Sequence, residues 1–64
     1  MTKAISVVGM DEKAAAETLR ALGIDVLVIE RDGTHYPDGD PFYWDPSRVS
    51  LRVAVGRVVS QEIG

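Results

Sequence analysis

Cysteine is absent from this chain of 64 residues, and histidine occurs once, at His35. Neither a disulfide framework nor a zinc staple is available, so packing, hydrogen bonds or association must hold the fold. Positive charge is scarce as well: seven Lys and Arg are scattered among ten Asp and Glu, giving a net charge of −3 and a pI near 4.8. Phosphate backbones are bound by clustered cations, so nucleic acid is not an expected partner. No apolar run approaches bilayer length, and no membrane partner is expected either. Met1 to Met10 carries Lys3 before a short apolar stretch and has no small-residue cleavage site, so the chain reads as cytoplasmic or as the mature form of a secreted protein. The missing cysteine does not decide between the two.

What is present is enough for one small domain, residues 1–64, with 45% hydrophobic residues. A domain of this size buries only about 60% of the surface exposed by its unfolded chain. Nearly every aliphatic side chain is therefore expected in a single core, with little room for an internal cavity.

Ala4 to Val8 is a β-prone run closed by Gly9. Asp11 follows as a good N-cap, with Glu12 in the first turn, where a negative charge suits the helix dipole. The strong helix formers from Glu12 to Leu22 predict a helix with Ala15, Leu19 and Leu22 on one face and Lys13, Glu17 and Arg20 on the other. Gly23 ends it as the C′ residue. Ile24 to Glu30, apolar at most positions and rich in β-branched residues, predicts a strand buried beneath that helix. Val49 to Val55 alternates, with Val49, Leu51, Val53 and Val55 on one side and Ser50, Arg52 and Ala54 on the other. Gly56 marks a turn, and Val58 to Ile63 supplies a last, more polar strand at a hairpin or a sheet edge.

Between these elements lies a long connector, Arg31 to Arg48. Long connectors in compact domains usually carry function. This one holds every aromatic residue of the chain (Tyr36, Phe42, Tyr43, Trp44), every proline (Pro37, Pro41, Pro46) and His35. Loops run over the surface, so the aromatics place apolar area where a partner can cover it. The prolines fix φ and lower the entropy lost when a partner holds the loop. Trp44 has two readings, an anchor offered to a partner or a lid folded back over a small core. Phe42 and Tyr43 point opposite ways if the segment is extended, so both are not easily buried.

The order of these features resembles the potato inhibitor I family of serine-protease inhibitors and its bacterial relatives. In that family a Val-Gly precedes the single helix, a hydrophobic strand follows, a Gly-Thr opens an extended protease-binding loop, and an aromatic-x-x-x-Arg-hydrophobic stretch leads into the next strand. The matching residues are Val8-Gly9, Val26 to Ile29, Gly33-Thr34, and Trp44-Asp45-Pro46-Ser47-Arg48-Val49 with Leu51 and Val53 beyond, then Ile63-Gly64. The similarity spans nearly the whole chain. It implies that Phe42 precedes the scissile bond, Tyr43 follows it, and Pro41 fills the preceding subsite. Phe42 then suits the hydrophobic slot of a chymotrypsin-like or subtilisin-like protease. Family members brace the loop from beneath with arginines. Arg48 stands for one of them, whereas the other aligned positions carry Asp45 and Ser50, and the Trp before the helix is absent. The loop is also about four residues longer than the family's, and longer loops cost more to order.

Other chemistry is weaker. Asp32, Asp38, Asp40 and Asp45 do not follow the spacing of a calcium loop and read as solvated turn residues. His35 has no Cys or second His beside it, and Glu12 and Glu17 are turned apart on the helix, so neither metal ligation nor paired-carboxylate catalysis is expected. Arg52 and Arg57 read as solvated strand residues, with pairing across a homodimer as the alternative. The expectation is an α+β domain, one helix on a small mixed sheet with a long exposed loop. It is read as a protein-binding module, not an enzyme, with no cofactor. The partner is a serine protease or another protein through Pro41, Phe42, Tyr43 and Trp44, with Arg48 as loop support. A non-inhibitory or homodimeric interaction domain on the same scaffold is the alternative. A third reading is a small folding-assistant domain resembling a protease propeptide.

Overall fold

The computed structural model describes residues 5–64. Helix α1 runs from Glu12 to Ala21. Asp11 caps it, its carboxylate accepting from the backbone N–H groups of Lys13 and Ala14 at 3.1 and 3.2 Å. Two donors that the helix itself leaves unpaired are thereby satisfied. At the other end Gly23 N donates to Arg20 O and Ile24 N to Leu19 O, which is the paired C-terminal closure that turns the chain directly into the first strand.

Four strands follow: β1 (Asp25–Arg31), β2 (Thr34–His35), β3 (Arg48–Ala54) and β4 (Arg57–Ile63). They form one sheet in the order β2-β1-β3-β4, with β1 and β3 parallel and the outer pairs antiparallel. The domain is α+β, one helix on a four-stranded mixed sheet. The parallel pair makes the long connector necessary, because parallel neighbours cannot be joined by a tight turn. Val49, Leu51 and Val53 of β3 join Ala15 and Leu19 of α1, Val28 of β1, Val58 of β4 and Val7 in the core, with Met10, Ile24 and Val26 packed at its margin. Ser50, on the opposite side of β3, is also buried, set by the register between Leu27 and Glu62.

Four expectations need correction. Ile5 to Val8 is not a strand, and Ala4 lies outside the described residues. Instead the Gln61 side chain replaces a strand partner: its amide nitrogen donates to Ile5 O at 3.0 Å and its oxygen accepts from Val7 N. Gly9 N donates to Val58 O and Val58 N to Met10 O, so the segment 5–10 runs along the outer side of β4. Leu22 is exposed because it is the C-cap residue, where the chain has already left the helical path. Val55 does not continue the inward alternation. It is 91% exposed and, with φ +52°, forms with Gly56 (φ +75°) the two-residue turn between β3 and β4. Positive φ at both central residues is the type I′ pattern whose twist matches a hairpin. Finally, the core takes fewer aliphatics than the small size implied, since Ile5, Val8, Val59 and Ile63 are also exposed.

Candidate functional site

The connector is shorter than its sequence implied. Arg31 completes β1, and Asp32-Gly33, at φ 50° and 83°, turns the chain back into β2, so the free loop spans residues 36–47. Asp-Gly between β-prone residues is a strong hairpin signal, and it marks this turn in the sequence. In the pairing of β1 with β3 the register shifts between Val28 and Glu30. The carbonyl of Ile29, at that irregularity, accepts from Tyr36 N at 2.8 Å and fixes where the loop departs.

Two tight turns, each with proline at its second position, bracket the loop. Gly39 N donates to Tyr36 O across Pro37-Asp38, and Arg48 N donates to Asp45 O across Pro46-Ser47. Proline's fixed φ suits that position in either case. In the second turn the Asp45 carboxylate also accepts from Ser47 N at 2.8 Å. Residues 40–44 pass between the turns. Pro41 is partly buried, whereas Phe42, Tyr43 and Trp44 are 95, 69 and 67% exposed. Trp44 is therefore not a core lid, although it has one intimate neighbour: a Cβ added to Gly64 would lie 2.5 Å from Trp44 Cδ1. Only a glycine lets the indole approach that closely.

Arg48, the first residue of β3, ties these parts together. Its Nε and Nη2 both donate to Gly64 O, the former at 2.9 Å, and Nη2 also donates to Tyr43 O. Its guanidinium carbon lies 5.6 Å from the centroid of the Tyr43 ring, within the range of a cation–π contact. Gly64 N in turn donates to Arg48 O. A planar fork of donors is what allows one side chain to hold a loop carbonyl and an end-strand carbonyl together. Sequence reasoning selected Arg48 as loop support and Gly64 only as the residue after the last strand, not as its partner.

The upstream limb has its own attachment, which sequence reasoning missed. Arg31 Nε donates to Glu12 Oε1 at 3.0 Å, and Nη2 reaches both Glu12 Oε2 and, at 3.3 Å, Asp38 Oδ2. Hydrogen bonds that Arg31 donates to Glu12 and then to Asp38 push its pKa further up and keep it charged. Glu12, read as a solvated helix charge, is thus a strand partner. Pro37-Asp38-Gly39 was legible as a turn, but the arginine facing it was not.

The remaining singled-out residues lie elsewhere. Exposed His35 is 3.9 Å from Glu30, which is 3.8 Å from Arg52, and Arg52 reaches Glu62 at 3.3 Å, forming a charged row across all four strands. Arg57 donates to Gly9 O. Both arginines therefore have intramolecular partners. Among the described residues no three His, Cys, Asp or Glu side chains gather as a metal site, and no helix is long and apolar enough to cross a membrane. The loop is a run of main chain bracketed by two turns, with Phe42, Tyr43 and Trp44 exposed to solvent. Comparison with family models, with curated proteins and with solved structures finds no match to this chain.

Proposed function

We propose that the chain is a protein-binding module resembling a serine-protease inhibitor of the potato inhibitor I type, presenting residues 40–44 as a substrate-like segment. Phe42 is the specificity residue and enters the hydrophobic slot of a chymotrypsin-like or subtilisin-like protease. The observation that carries this reading is the contrast at the centre of the loop: Phe42 is almost fully exposed, yet the next residue's carbonyl is held by Arg48. A side chain free to enter a pocket on a backbone that is already held loses little further entropy on binding. Turns closed by Pro37 and Pro46 support the same reading.

Titration into chymotrypsin and into subtilisin tests it. Inhibition at micromolar protein or below is expected from the parent. Phe42→Ala should weaken it about 10- to 100-fold, the value of a buried aromatic side chain, and Phe42→Lys should abolish it against both enzymes. If neither enzyme slows at micromolar protein, or if the loop is cut rapidly to completion, the inhibitor reading fails. The aromatic run then serves a non-inhibitory partner or a second copy, which light scattering separates.

A further inference from the structure

Arg31 sits where three elements meet. It is the last residue of β1, it faces the first residue of α1, Glu12, and it reaches across the base of the loop to Asp38. The two contacts differ in kind. Glu12 takes both Nε and Nη2 in a forked arrangement, so the guanidinium is oriented whether or not the loop is present. Asp38 takes one donor at a longer 3.3 Å, and its side chain is half exposed. Breaking the second contact leaves Arg31 still neutralised by Glu12 and buries no unpaired charge.

An exposed ion pair normally contributes little, partly because two long side chains must be ordered to form it. Here Glu12 has already ordered one of them, and Asp38 is short and sits in a proline-initiated turn. The loop consequently hangs between two arginines with unlike grips. On the downstream side Arg48 holds a neutral main-chain carbonyl, Tyr43 O. On the upstream side Arg31 holds a charged side chain in contact with solvent, where salt screens it.

We propose that Arg31 and Asp38 form an ionic clasp that sets how firmly the upstream limb of the loop is held, making Asp38 a positioning residue for Pro41 to Trp44. Its relevance to inhibition rests on the function proposed above, whereas the clasp itself is measurable without any protease. With a pair of this exposure, opening the clasp should change the closed-to-open ratio of the limb about two- to fivefold.

The test compares the full chain with Asp38→Asn, which keeps the shape of the turn residue, and Asp38→Glu, which keeps its charge. Exchange of the Gly39 amide, which donates to Tyr36 O across the turn that carries Asp38, is followed at about 20 mM and about 500 mM salt, together with the melting temperature and the inhibition constant against chymotrypsin. In the parent, exchange is expected to rise about two- to fivefold with salt. Asp38→Asn should start at the raised rate and ignore salt, Asp38→Glu should recover the salt response, and the melting temperature of Asp38→Asn should fall by about 2–8 °C at most, the share that a two- to fivefold change carries in a chain of this length. Equal exchange in the parent and Asp38→Asn overturns the clasp, as does a fall in melting temperature beyond about 8 °C, which would make the faster exchange a sign of general destabilisation. A salt-sensitive limb in a chain that inhibits neither enzyme refutes the proposed function and upholds the clasp. Inhibition with an unresponsive limb does the reverse.

Discussion

Replacing Arg48 by alanine removes three donor contacts, two to Gly64 O and one to Tyr43 O, together with the guanidinium beside the Tyr43 ring. The two bonds to Gly64 share one acceptor and count as about one interaction. Hydrogen bonds to charged groups contribute about 1.5–3 kcal/mol when well buried. Arg48 is only partly buried and its bond to Tyr43 is exposed, so about 1 kcal/mol for each acceptor is the appropriate scale. Arg48→Ala should then destabilise the domain by about 2 kcal/mol, and for a chain of this length each kcal/mol lowers the melting temperature by about 4–8 °C. The half belonging to Tyr43 should appear as about a fivefold rise in exchange of the residue 48 amide, which closes the downstream turn by donating to Asp45 O. Arg48→Lys places a single ammonium where a fork was required and should recover about half of the stability, holding one carbonyl but not both. Thermal melts and amide exchange followed by NMR supply both quantities. A melting temperature within about 2 °C of the parent, with unchanged loop exchange, would refute the view that Arg48 organises the loop.

Two further predictions concern the scaffold. Leu51, fully buried in a core without aromatic residues, should cost about 3 kcal/mol on replacement by alanine. That is a large share of the roughly 3–10 kcal/mol typical of a domain this small, and urea unfolding with a loss below about 1 kcal/mol would contradict the core described. Val55 holds a β-branched side chain at φ +52° in the turn between β3 and β4. Val55→Asn relieves that strain and should stabilise the domain by about 1 kcal/mol, so a lowered melting temperature would count against the turn geometry.

Local sequence signals carried much of this architecture. Asp11 and Gly23 bound the helix because capping chemistry is local, and the alternation of Val49, Leu51 and Val53 reveals the core side of β3 because a strand has period two. The misreadings arise where a residue answers to something distant. Ile5 to Val8 has strand-like composition, yet its partner is the side chain of Gln61, more than fifty residues away. Val55 fits the apolar alternation, but turn geometry overrides it. The Asp32-Gly33 hairpin was legible and shortens the loop that the sequence implied. In the loop, exposure of the aromatic segment followed from composition and proline content, whereas Trp44 had two readings that composition alone did not separate. The attachment of Asp38 through Arg31 to Glu12 did not, since no spacing rule links a helix N-terminus, a strand end and a turn.

Arg48 grips residue 43 by its main-chain oxygen, an atom that every amino acid supplies. What holds the loop is thereby separated from the side chain displayed at Phe42, although Arg48 also lies against the Tyr43 ring. Neighbouring Phe42, almost fully exposed, can be exchanged for a side chain of another shape or charge while the scaffold beneath stays unaltered, so that position is free to vary without refolding its support.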